Sequence, residues 1–219
     1  MPEPHDIGEL LSALRHHEES PTGAGQSEEY HHPWPIIVYR TGYHDTNSDA
    51  NWATLTEKIR SGILESIATA TRGEEEGSEV HQDACKLVDL LEFRPISDAG
   101  TLEGASHNTL RQLHDEYLEQ EGLAHHLRLR PRRPFFVIDA EVLADDLTWI
   151  KCVDVEYREH YYHGNAWEPQ RYFGWFKMVP NGVVDLLATI CWRDLYKIAP
   201  LTIGGMHLVT WDPNSTWFS

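Results

Sequence analysis

Between residues 154 and 163 the chain carries Asp154-x-Glu156-x-x-Glu159-His160-x-x-His163, a run of carboxylates and imidazoles. Such groups hold a metal ion or work as general acid and base. His-x-x-His brings two imidazoles to one face only on a helix, whereas Tyr161-Tyr162 and the following Gly164-Asn165 favour a loop. No metal is therefore expected. Asp154, His160 and His163 stand as the candidate catalytic groups, with a solvated loop as the competing reading.

A second group forms around Arg40. In Ile36-Ile37-Val38-Tyr39-Arg40-Thr41 a period of two puts Ile36, Val38 and Arg40 on one face and Ile37, Tyr39 and Thr41 on the other. A guanidinium keeps its charge, so one turned inward needs a carboxylate or a bound anion. Asp139 ends the Phe135, Val137 row, and Asp154 follows Ile150 and Cys152 in the same way. Asp139 or Asp154 is thus expected within hydrogen-bonding reach of Arg40, as a structural pair or as part of a ligand site. Aromatic residues crowd the stretch from Tyr157 to Phe176, more than one strand can bury. Tyr157, Trp167 and Trp175 are the candidate walls of an apolar groove, with Arg40 and Asp139 as its polar groups. Arg128, Arg130, Arg132 and Arg133 form a basic patch that reads best as a solvated connection before a strand.

The elements that must position these residues read as strand, helix, strand, helix, three strands, helix. Residues 36–41 form the first strand. Trp52, Leu55, Ile59, Ile63 and Ile67 make one stripe of a helix over about 50–68, with Ser48 or Asp49 as N-cap. Residues 72–79 are an acidic linker, and Lys86 to Ile96 holds a strand that Pro95 ends or places at an edge. A helix over 107–121 follows, capped by Ser106 and closed by Gly122. Phe135–Asp139, Trp149–Tyr157 and Arg171–Met178 are three successive strands, and Val183–Ile190 is a buried helix. Strands joined without a crossover helix pair antiparallel. The fold class expected is α+β: a single layer sandwich with an antiparallel-rich sheet of about five strands and two to three helices packed on it, the two intervening helices able to share one face.

Three segments follow from the same pattern: a flexible acidic tail over 1–32, one α+β domain over 33–200 and a C-terminal extension over 201–219. The tail contains one short helical pattern (Ile7, Leu10, Leu11, Leu14), and the extension carries exposed-looking Trp211 and Trp217. The net charge of −17 is lopsided, with 24 Asp/Glu against 8 Lys/Arg in residues 1–122 and 11 against 10 in residues 123–219. A field of that sign repels phosphate backbones, so general nucleic-acid binding is not expected. Cys85, Cys152 and Cys191 lack framework spacing, no secretory signal opens the chain, and no apolar stretch can span a bilayer. A cytoplasmic location is the resulting expectation. No Gly-x-Gly-x-x-Gly, Walker or nucleophile-elbow pattern occurs, so no cofactor is expected.

The strand ending Tyr39-Arg40-Thr41 ahead of Trp52, and Lys151-Cys152-Val153-Asp154 with Gly174-Trp175-Phe176-Lys177-Met178, resemble a large group of uncharacterised fungal proteins over roughly residues 33–198. The resemblance implies a fungal source and a shared fold. A fainter similarity is to fungal arginine-containing cyclodipeptide synthases. Their Asp-Asp-x-x-Glu signature is absent, since Asp145-Asp146 is followed by Leu147, Thr148 and Trp149. Three functions are consistent with these residues. The first is a small-molecule-handling protein, in the form of a cofactor-independent enzyme of fungal secondary metabolism. The second is a non-catalytic module that meets a protein partner through aromatic surface and acidic tail. The third is a transfer-RNA-dependent enzyme using the arginine patch.

Overall fold

The computed structural model describes residues 10–11, 33–123, 134–159, 172–203 and 206–215. Its first strand, β1 (Trp34–Arg40), is buried along its whole length. A strand covered on both faces reads as a continuous apolar run, which is what Trp34 to Tyr39 provides. The helix α1 (Ser48–Ala70) follows, then α2 (Glu79–Leu90), β2 (Leu91–Ile96), α3 (Ala99–Leu102), α4 (His107–Gln120) and β3 (Phe135–Ile138). After them come α5 (Ala140–Ala144), β4 (Ile150–Val153), β5 (Trp175–Met178), a 3-10 turn at Pro180–Gly182, α6 (Val183–Ile190) and α7 (Leu195–Ile198). A small hairpin, β6 (Thr202–Ile203) and β7 (Met206–His207), ends the order.

The main sheet runs β2-β1-β3-β4-β5. β1 is parallel to both β2 and β3, while β3–β4 and β4–β5 are antiparallel. The α+β class with one principal sheet is what the sequence predicts, and its last three strands pair antiparallel as expected. β2, with Pro95, is the edge strand. The sheet is nevertheless mixed, because helices connect β1 to β2 and β2 to β3 and so return the chain in the same direction.

Helices cover both faces, so the two intervening helices, α1 and α4, do not share one. Leu55, Ile59, Ile63 and Ile67 of α1 pack with Ile36, Val38, Phe136 and Ile138, together with α6. Leu110 and Leu118 of α4 pack with Ile37, Tyr39, Phe135 and Val137. The two faces of β1 thus separate as period two requires.

Other boundaries differ for physical reasons. Glu79–Leu90 is helical, with Ser78 Oγ accepting from the His81 N–H at 3.3 Å and Ala84, Leu87 and Leu90 turned inward. Only Leu91–Ile96 of the expected strand is extended, since a short apolar run has no periodicity of its own to decide between the two. α1 starts after Asn47 without a side-chain cap, because Ser48 and Asp49 turn their oxygens to Arg40. α5 was expected to be a connection; the Asp139 Oδ1 caps it at the Val142 N–H, 3.1 Å away. Trp211 is buried: its N–H donates to Lys177 O at 2.7 Å and its carbonyl accepts from Val179, which covers the free side of β5. Within the expected tail, Leu10 and Leu11 are helical and sit in the α1-side core. No described helix is long and apolar enough to cross a membrane.

Candidate binding site

Two neighbouring strands carry the same short pattern, Trp149-Ile150-Lys151 leading through β4 and Trp175-Phe176-Lys177 in β5. Ile150, Cys152, Phe176 and Met178 enter the α1-side core, so Lys151 and Lys177 emerge on the α4 side. The antiparallel register sets Lys151 opposite Lys177 and Val153 opposite Trp175. Each lysine then reaches the other strand's tryptophan diagonally: Lys177 Nζ lies 3.8 Å from the Trp149 ring centre, Lys151 Nζ 4.7 Å from that of Trp175. Crossed cation–π contacts of this kind contribute about 0.5–2 kcal/mol each.

Two ammoniums directly across a strand pair repel each other. Glu141 bridges them, its Oε2 accepting from Lys151 at 2.8 Å and its Oε1 from Lys177 at 3.2 Å. Asp139 adds a second carboxylate on Lys151, at 2.5 Å. Burial works to raise the Glu141 pKa, but the two lysines outweigh it and hold the carboxyl below its ordinary value. Trp149 is fixed by its indole N–H, which donates to Asp145 Oδ2 at 2.5 Å. The turn that delivers it puts Leu147 at φ 62°, a left-handed conformation costing a non-glycine residue about 1–2 kcal/mol. Strain of that kind concentrates at functional sites.

Two imidazoles flank Trp175. His107, at the start of α4, meets it edge-on with ring centres 5.5 Å apart, and His207 of β7 lies 4.0 Å away. Burial first, then the nearby positive charges, pushes both down to about 4, so both are neutral near pH 7. The site therefore gathers two ammoniums, two carboxylates, two neutral imidazoles and the partly exposed indole of Trp175 where the carboxyl end of β3 meets β4 and β5, with the Trp149 indole buried behind Lys177.

Of the residues singled out in the sequence, Asp139 and Trp175 belong to this cluster. Arg40 does not, and its predicted partners are corrected. Its guanidinium pairs with Asp49 at 2.5 Å, donates to Ser48 Oγ at 2.7 Å and Gly42 O at 3.0 Å, and lies 4.5 Å from the Tyr43 ring centre. Asp139 belongs to the opposite face, because the β1–β3 register aligns Arg40 with Ile138. Asp154 is at the other end of the sheet, since β4 runs antiparallel to β3. A pocket shared by Arg40 and Asp154 is thus excluded by topology.

Asp154 closes a turn. Its Oδ1 accepts from the Glu156 N–H at 2.8 Å and its Oδ2 from the Tyr172 hydroxyl at 3.0 Å. Burial raises its pKa against those bonds. Arg111 of α4 binds the Asp154 and Gly174 carbonyls at 2.7 and 3.0 Å, and Tyr157 stacks beside it. Gly174 has φ +75°, and a Cβ there would lie 2.2 Å from the Tyr157 ring. Tyr157 accordingly closes packing at that turn. His160, His163, Trp167 and the Arg128–Arg133 patch lie outside the described residues.

Sequence reasoning missed Lys151, Lys177, Glu141, Trp149, His107 and His207. A signal existed for three of them, Trp149, Lys151 and Lys177, in the repeated Trp-x-Lys on successive strands. Set beside known family models, curated proteins and solved structures, the chain matches none of them.

Proposed function

We propose that this is a small-molecule-handling protein whose ligand lies at the crossed Trp–Lys site. The observation that carries the reading is the convergence of Lys151 and Lys177 on one carboxylate between two indole faces, with two neutral imidazoles alongside. Apolar faces bearing a few convergent polar groups are the usual composition of a ligand site. Catalysis is not needed for this reading, and no reaction is assigned. Native mass spectrometry of the full-length protein provides the test. A low-mass species should accompany the wild type and be lost from Lys177→Met. A species retained equally by that variant would place the ligand elsewhere and overturn the reading.

A second reading, an interaction module, has one observation in its favour. Thr202 and His207 face inward on the β6–β7 hairpin, while Leu201, Ile203, Met206 and Leu208 are between 57 and 64% exposed on the outside. Apolar surface presented together in this way marks contact sites. Under this reading Ile203→Lys would abolish concentration-dependent association measured by light scattering and leave ligand retention unchanged.

A further inference from the structure

Glu141 occupies the point on which both ammoniums converge, and it is the member of the cluster most free to leave. Its side chain is 55% exposed, against 26% for Asp139 and 8% for Lys151. It stands in the first turn of the five-residue helix α5, whereas Asp139 is held from behind by the Val142 N–H. With Glu141 swung into solvent, Lys151 keeps Asp139, while Lys177 keeps no directly paired carboxylate among the described residues and feels only the Asp145 charge across the Trp149 indole. One added negative charge between the two ammoniums then gives Lys177 a direct partner again. A dianion would set surplus negative charge beside Asp139.

A separate observation points to the same place. Both ring nitrogens of His207 are shielded from solvent, and neither has a hydrogen-bond partner among the described residues. Buried polar atoms without partners are uncommon. A neutral imidazole presents one donor and one acceptor, and this one stands against Trp175, close enough to Lys151, Lys177 and Glu141 to feel their charges.

We infer that Glu141 is the resident occupant of a carboxylate seat, and that the ligand is a small organic acid with a hydroxyl or amide next to its carboxylate. The ligand carboxylate replaces that of Glu141 between Lys151 and Lys177, and the neighbouring polar group pairs with His207. This rests on the small-molecule reading above and adds the chemical class.

The test titrates full-length wild type, Glu141→Gln and Glu141→Ala with glycolate, acetate, inorganic phosphate and phenol, following the indole N–H resonances of Trp149 and Trp175. Glu141→Ala vacates the seat and Glu141→Gln removes its charge, so either one keeps the test open. Glycolate should bind them about tenfold more tightly than the wild type, and more tightly than acetate. His207→Phe, which keeps a ring against Trp175, should make glycolate and acetate equal. Equal or weaker glycolate binding by the two folded variants, or a preference for phosphate, overturns the inference. Resonances that move with phenol and with none of the three anions overturn it while leaving the small-molecule reading standing. Resonances that move with no probe overturn both.

Discussion

His114 shows how one residue can carry pH dependence without touching a site. It lies buried on α4, its ring centre 4.9 Å from that of Phe135 and its Nδ1 3.3 Å from the Tyr39 hydroxyl. Burial alone pushes its pKa down to about 4. The unfolded chain, with histidine near 6.5, takes up that proton first. Stability is therefore complete above pH 6.5 and declines as the pH falls towards 4, by about 3 kcal/mol from this residue. His107 and His207 act in the same direction with smaller effect, being partly exposed. Urea unfolding of wild type and His114→Phe across pH 4–7 reads the difference. The variant should show a slope flatter by that amount, and identical slopes would show that His114 titrates normally. The composition shows 14 His, but which are forced neutral depends on burial, so this property was not legible in the sequence.

The antiparallel pairing of β4 with β5 creates the candidate site. Two residues of slip along that pairing would break the Lys151–Lys177 match and both diagonals, whereas the apolar faces would still look correct. The crossed contacts thus help to fix register as well as to build a surface. A double-mutant cycle with Trp149→Leu and Lys177→Met should give a coupling of about 0.5–1 kcal/mol. A coupling near zero would mean that Lys177 is held by Glu141 alone. At this scale the sequence was legible where the period was long. The stripe Leu55, Ile59, Ile63, Ile67 is the buried face of α1, and Ser106 caps α4, its Oγ accepting from the Thr109 N–H at 3.2 Å. At Glu79–Leu90 a helical spacing was present in Val80, Ala84, Leu87 and Leu90 but was masked by the apolar run that continues into Phe93, while Ala140–Ala144 is too short to show a period.

For the molecule as a whole, the N-terminal segment sets the sharpest expectation. Leu10 and Leu11 are 4% and 1% exposed, in the same core as α1 and α6. Burying a leucine contributes about 1.5–3 kcal/mol. A chain beginning at His31 should therefore unfold about 2–5 kcal/mol more easily than the full chain, with Leu11→Ala reproducing much of the loss. Equal melting of the truncated and full chains would show those leucines to be dispensable. The high average polarity of residues 1–32 is what predicts a tail, and the short helical pattern Ile7, Leu10, Leu11, Leu14 is the apolar signal within it.

The sequence by itself determined those local features that a long period or a capping residue specifies. It set which side chains of β1 go to which face, the stripe on α1, the cap of α4, and the aromatic and β-branched strands. It also required Arg40 to find a carboxylate. Only the tertiary structure decided which carboxylate. The chain turns directly from β1 into α1, so Asp49 arrives beside the guanidinium, while register puts Asp139 on the other face and strand direction puts Asp154 at the far end. Relative register and strand direction are set by long-range packing and have no local signature. The same holds for the site, since Lys151 and Lys177 become one only when antiparallel pairing lays one Trp-x-Lys across the other.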